Sequence, residues 1–205
     1  VTLSGTSSTV RTHGDAVTSL TDGKYILVNN RAGKTLTNRE AAPLEGGDGT
    51  ITGLSLNGTI SSISADAIWD VTASGEGYTV RDAEGQYLTI DNKYAGMVDA
   101  ESVVNVVYKD GNWTLSQNSA YLNDASGKGT CAAGWNGWDG WTQYDASTDG
   151  GSQFTIYPVS EEVTATTELT FTGLFPGNTN ILVGDTLYMV RVSGQLQEVE
   201  LKVGE

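Results

Sequence analysis

The chain has 205 residues, enough for one large domain or a domain with a small companion, and enough to bury a core. Its 25 acidic against 11 basic residues give a formal net charge of −14, which argues against nucleic acid or an anionic membrane as a partner. No apolar run of about eighteen residues occurs, so membrane insertion is not expected, and the 26 glycines with abundant Thr, Val, Ile and Tyr point to an all-β protein with many tight turns.

Residues 1–21 are read as a separate N-terminal segment, rich in Ser and Thr, with a weak strand signal at its start and otherwise mobile. VTLSGTSSTV lacks the basic start and apolar stretch of a signal peptide, so the sequence is expected to begin after processing or at a boundary within a longer chain. The sole histidine, His13, falls in this segment and reads as an ordinary surface residue, because a metal or catalytic histidine needs partners.

From Gly23 one pattern recurs: GKYILVNN then GKTLTN, GYTVRD then GQYLTI from Gly77, and NWTLSQN then SAYLND from Asn112. Each time an aromatic (Tyr25, Tyr78, Trp113) opens an alternating strand, a polar turn follows, and a leucine (Leu36, Leu88, Leu122) sits in a second strand. The first and third units close with related strands, AIWDVTA around Trp69 and SQFTIYPV around Phe154. The second closes more loosely with VVNVVYKDG and is shorter by roughly fifteen residues. Three hairpin units with closing strands imply a β-trefoil or trefoil-like barrel over residues 22–159, with Tyr25, Trp69, Tyr78, Trp113, Phe154 and Tyr157 filling its core. The N-x-[ST] matches at Asn57 and Asn112 are read as chance. Residues 160–205 begin with a polar linker, SEEVTATTE, and continue as a small β segment with turns at Pro176-Gly177-Asn178 and Gly184-Asp185, packed on the barrel or cut from a repeating array.

Within the third unit, CAAGWNGWDGWTQY puts three of the chain's five tryptophans within seven positions. A three-residue step breaks strand alternation, and Gly134, Gly137 and Gly140 would each cost about 1 kcal/mol in a helix, so the segment reads as a loop. A pyranose packs its C–H face on an aromatic ring and needs amides or carboxylates beside that ring for its hydroxyls. The loop offers Trp135 and Trp138 as platforms, with Asn136, Asp139, Gln143 and Tyr144 beside them, while Trp141 is assigned to a satellite core. Tyr94 is a candidate second platform in the middle unit. Cys131, the only cysteine, reads as a packed small hydrophobe.

The DGKYILVNNRAGKTLTN, AIWDVTASGEGYTVRDAEGQYLTIDN and SQFTIYPV stretches resemble the ricin-type β-trefoil and trefoil-like modules of secreted enzymes and surface proteins of Gram-positive, often gut-dwelling, bacteria. TELTFTGLFPGNTNILVGDTLYMVRV resembles the short bacterial Ig-like segments that accompany them. The ricin-type Gln-x-Trp signature is replaced here by IWD and QFT. The resemblance implies a noncatalytic, extracellular carbohydrate-binding module, covalently linked to neighbouring domains, with a glycan as its partner. A structural or protein-binding module, an adhesin or spacer, is the alternative. No GxSxG, HExxH or Walker A motif suggests an enzyme. No cofactor is implied, and a structural calcium held by loop acids among Asp22, Asp48, Asp82, Asp91, Asp99, Asp124 and Asp149 is the one metal weighed.

Overall fold

The computed structural model describes residues 2–46, 49–91, 94–125, 127–134, 145–172, 177–183, 186–192 and 198–202. The chain divides into two compact units, Arg11–Ser160 and a smaller one made of Val1–Val10 with Glu161–Glu205. The first strand, β1 (Thr2–His13), pairs with a long strand near the other end of the chain, β15 below.

In the larger unit each sequence repeat supplies four strands. The first gives β2 (Gly23–Asn29), β3 (Lys34–Glu40), a short inserted pair β4 (Leu44–Gly46) and β5 (Gly49–Ile51), then β6 (Leu54–Leu56) and β7 (Trp69–Ser74). The second gives β8 (Gly77–Arg81), β9 (Tyr87–Asp91), β10 (Tyr94–Val98) and β11 (Val103–Lys109). The third gives β12 (Asn112–Gln117), β13 (Ala120–Asp124), β14 (Thr130–Gly134) and the start of β15 (Phe154–Thr172). Asp110 and Gly111, both at positive φ (52° and 85°), make the tight turn that joins β11 to β12, which Asp-Gly pairs favour because left-handed backbone matches strand twist.

The first and fourth strands of the repeats hydrogen-bond in a ring: β2 to β7, β7 to β8, β8 to β11, β11 to β12, β12 to β15, and β15 back to β2. This closed barrel has no free edge. The remaining strands form hairpin caps, β3 with β6, β9 with β10 and β13 with β14, and β14 also pairs with β6. A barrel of six strands capped by three hairpins is a β-trefoil, as the repeats lead one to expect.

The core is built in layers of three, one residue from each repeat. Leu36, Leu88 and Leu122 are fully buried under the caps, and Leu27, Val80 and Leu115 fill the barrel. Trp69, Val104 and Phe154 stand opposite Tyr25, Tyr78 and Trp113 in register, so the loosely closing second repeat fills its aromatic position with a valine. Leu54, Ala95 and Cys131 make a further buried layer. The indole N–H groups find buried acceptors: Trp69 donates to the Leu36 carbonyl at 3.1 Å and Trp113 to that of Val17 at 2.8 Å.

Two expectations change. Tyr157 is not core: it lies an odd number of positions from Phe154, pairs with Ile26 on the outer face, and packs edge-on against His13 with ring centroids 5.5 Å apart. The N-terminal segment is not a mobile tail, because an open strand face gave it partners. After β1, Gly14 and Val17 donate backbone hydrogen bonds to Pro158 and Ile156 at 3.0 and 2.9 Å, and Val17 and Leu20 pack against the core. The second repeat is short in the connection from third to fourth strand, residues 99–102 there against 57–68 and 135–153 in its neighbours, and it also lacks the inserted pair that the first repeat carries between its second and third strands.

In the smaller unit β16 (Gly177–Val183) and β17 (Thr186–Val192) form a hairpin, and β18 (Glu198–Lys202) pairs with Glu168–Thr172 of β15. The turn expected at Gly184-Asp185 falls outside the described residues. Gly177 and Asn178 open β16, opposite Val192 and Arg191, and Pro176 lies outside the described residues.

Truncating a layer residue opens a cavity that close packing cannot fill. Leu122→Ala is expected to cost about 2–5 kcal/mol and Trp113→Ala about 3–5 kcal/mol, read from denaturant midpoints at unchanged m.

Candidate functional site

The loop residues Trp135, Asn136, Trp138, Asp139, Trp141, Gln143 and Tyr144 lie outside the described residues, so the structure defines the two feet of their loop. The first foot is β14, buried along its whole length, with Gly134 opposite Tyr121 and Cys131 opposite Asp124. The second is a turn: Asp145 Oδ1 accepts from the backbone N–H and hydroxyl of Ser147 at 2.9 and 2.7 Å, and its carbonyl accepts from Asp149 N–H at 3.1 Å. The Ser147 hydroxyl, then its N–H, and at longer range the Lys109 ammonium hold the Asp145 carboxyl below its usual range. A 3-10 turn, Gly150–Ser152, follows and is capped by Asp149, whose Oδ2 accepts from Gly151 N–H at 3.1 Å.

Polar side chains tie the second foot to β13, the strand that pairs with the first foot. Arg31, from the turn after β2, donates from Nε to Asp124 Oδ2 at 3.1 Å and from Nη1 to Asp149 Oδ2 at 3.2 Å, and its Nη2 meets the Asp124 carbonyl. Asn123 donates from Nδ2 to Asp149 Oδ2 and to the Ser152 hydroxyl, both at 2.8 Å, and Asn29 donates to the Gly151 carbonyl at 2.7 Å. Asp124 is fully buried where the second repeat carries Ile90, and Arg31 supplies its counter-charge. Against it lies the buried Cys131, whose thiol is pushed well above its ordinary pKa by burial first and the Asp124 charge second. Cys131 is thus the packed residue the sequence suggests.

Between the second foot and the outer face of the barrel opens a cavity of about 260 Å³, lined by Thr114, Ser116, Tyr121, Ser147, Thr148 and Gln153 among others. Register puts Thr114 opposite Val107 and Ser116 opposite Tyr121, all on the face away from the core. The sequence reading missed these residues: alternation in NWTLSQ shows that Thr114 and Ser116 face outward, but any solvent-facing strand shows the same. Tyr94 is 37% exposed, its ring lying across Gly96 of its own strand, where a Cβ would overlap the ring. His13 is bonded through Nδ1 to the Gly14 carbonyl at 2.8 Å and lies away from these groups on β1.

The described loop acids serve turns and clamps. Asp22 accepts from Ala73 N–H, Asp82 from Gln86 N–H and Asn38, and Asp99 from Gln86 Nε2, each at 2.9 to 3.0 Å. Among the described residues no three His, Cys, Asp or Glu gather as a metal site would require, and no helix is long and apolar enough to cross a membrane.

No protein-family model matches the chain, and no curated protein sequence matches it. Solved structures do resemble it. A ricin B-like lectin of Macrolepiota procera, in complex with lactose, aligns at 14% identity and a TM-score of 0.47 over 68% of this chain and 98% of that one. The Rhizoctonia solani agglutinin aligns at 14% and 0.48 over 68% and 97%. A GlcNAcα1-4Gal-releasing endo-β-galactosidase from Clostridium perfringens aligns at 18% and 0.49 over 67% of this chain and 32% of that one.

Removing Arg31 strands the buried Asp124 carboxylate. Arg31→Ala is expected to cost about 1.5–3 kcal/mol in thermal or denaturant unfolding, whereas the double variant Arg31→Met/Asp124→Ile, which copies the apolar residue of the second repeat, regains most of that loss. The Cys131 thiol stays protonated and covered, so a thiol reagent at mildly alkaline pH should label it only after unfolding; stoichiometric labelling of the native protein would contradict its burial.

Proposed function

We infer that this is a noncatalytic carbohydrate-binding module of an extracellular bacterial multidomain protein, which stacks a glycan on Trp135 and Trp138 with Asn136, Asp139, Gln143 and Tyr144 meeting its hydroxyls. One observation carries the reading: the aromatic places of the barrel are already filled. Trp69 and Trp113 are buried in the layers with Tyr25 and Phe154, and every layer named above has its residue from each repeat without drawing on the loop. The remaining three of the five tryptophans belong to a connection that the shorter second repeat does without. Large aromatic side chains that no layer of the core requires, set among glycines and amides, suit a ligand that is apolar on its face and hydroxylated at its rim. In the same reading residues 160–205 are an Ig-like segment leading to linked domains of the parent protein.

The test is a glycan array followed by competition with the free sugar. Trp135→Ala and Trp138→Ala should each abolish or sharply weaken saturable binding while leaving the melting temperature nearly unchanged. A loss of about 3–5 kcal/mol in stability would instead identify them as a buried cluster. Binding to a neutral glycan releases no counterions, so calorimetric affinity should hold between low and high salt. A polypeptide partner with no saturable sugar signal would replace this reading with the adhesin or spacer function.

A further inference from the structure

The three repeats allow the same place to be compared three times. On the outer face of the first repeat, Ile26, Ile68 and Val159 come together with Ala67 as a small apolar cluster, buried under the 57–68 connection. Strand register gives the matching residues in the third repeat. Tyr25 corresponds to Trp113, so Ile26 corresponds to Thr114. Pro158, opposite Tyr25, corresponds to Tyr108, opposite Trp113, so Val159 corresponds to Lys109. Trp69 corresponds to Phe154, so Ile68 corresponds to Gln153. Thr114, Lys109 and Gln153 all line the 260 Å³ cavity at the foot of the tryptophan loop. Where the first repeat has an apolar plug, the third has polar groups around an opening.

We propose that this cavity holds one neutral pyranose residue of the glycan, with the Tyr121 ring as its apolar wall and Thr114, Ser116, Thr148 and Gln153 as its hydrogen-bonding partners. The assignment rests on the glycan reading above and adds to it a site on the barrel face, separate from the loop indoles. The volume is below that of drug-sized ligand pockets, which suits a single sugar ring. The hydroxyls and amides can each both donate and accept, as sugar hydroxyls require. The side chains of Thr114, Ser116, Tyr121 and Gln153 line the cavity and make no hydrogen bond to another described residue. Charge favours a neutral sugar. Lys109 is the cation of the lining, Asp110 lines the cavity beside it, and Asp145 lies close enough to feel its field. No uncompensated positive charge is left for a sugar acid, on a chain of net charge −14.

The repeat comparison also supplies a test that does not threaten the fold. Thr114→Ile/Gln153→Ile installs the first repeat's own residues, and Tyr121→Leu removes the ring while keeping bulk. The full chain, labelled with 15N, is titrated with galactose, glucose, mannose, N-acetylglucosamine and N-acetylgalactosamine. At least one of these should move the amide resonances of Thr114, Ser116, Tyr121 and Gln153. The refilled variant should keep its melting temperature and bind that sugar about tenfold more weakly or worse, as the loss of two or three hydrogen bonds implies. If the refilled variant melts early, Tyr121→Leu provides the same reading and should weaken the same sugar. Variants that fold and bind like the parent, while Trp135→Ala and Trp138→Ala lose binding, would overturn the cavity assignment and leave the loop reading standing. A parent chain that binds no neutral sugar would remove both. A response to sugar acids alone, lost at high salt, would overturn the neutral ligand.

Discussion

Closure of the barrel by Phe154–Pro158 is the constraint on which the rest depends. This stretch of β15 pairs with Asn29–Tyr25 of the first repeat, and its Phe154 also stands opposite Trp113 of the third. Strands over a hundred residues apart in sequence thereby become neighbours, and the sheet loses its edges. Such a contact brings the loop-closure entropy of nearly the whole domain into one event, so it holds only if the interior it seals is densely packed. The layers of three meet that need: Leu36, Leu88 and Leu122 leave no accessible surface, and Trp69 and Phe154 are equally covered.

Closure also explains where variation is allowed. The residues that fill layers are fixed by packing, whereas the connection between third and fourth strands lies outside the ring and can change length without disturbing it. In the first repeat this connection folds back as an apolar cover over Ile26, and in the second it shrinks to residues 99–102. In the third it extends over 135–153, its second foot held to β13 and to the first repeat by Arg31, Asn123 and Asn29. One architectural position thus serves as cover, as short link and as candidate binding loop.

The polar clamp differs in kind from the layers. A buried Asp124 facing Arg31 brings less stability than an apolar pair of the same volume would, since the carboxylate is stripped of water and the half-buried guanidinium in part. Its geometric effect is specific, because Arg31 reaches Asp124 in the cap and Asp149 in the turn after the loop from a single side chain. Asn123 then binds the same Asp149 and Ser152. The end of a long, glycine-rich connection is thereby fixed against β13, whose ladder with β14 carries the start of it, and an apolar contact would fix it less sharply.

The sequence by itself determined the repeat, the strands that begin at Tyr25, Tyr78 and Trp113, the buried leucines and the inert cysteine. Each follows from local alternation and from a spacing that recurs, and local patterns survive in one dimension. Tyr157 has the aromatic character of a core residue, but its odd position relative to Phe154 turns it to the outer face. The Ser/Thr content of the N-terminal segment gives no sign of its strand partner, which arrives more than a hundred residues later. Only the tertiary structure decided that Arg31, Asp124 and Asp149 meet, and that Thr114, Tyr121 and Gln153 surround one cavity. Those groups are brought together by barrel closure and cap packing, contacts between distant residues that leave no periodic trace along the chain.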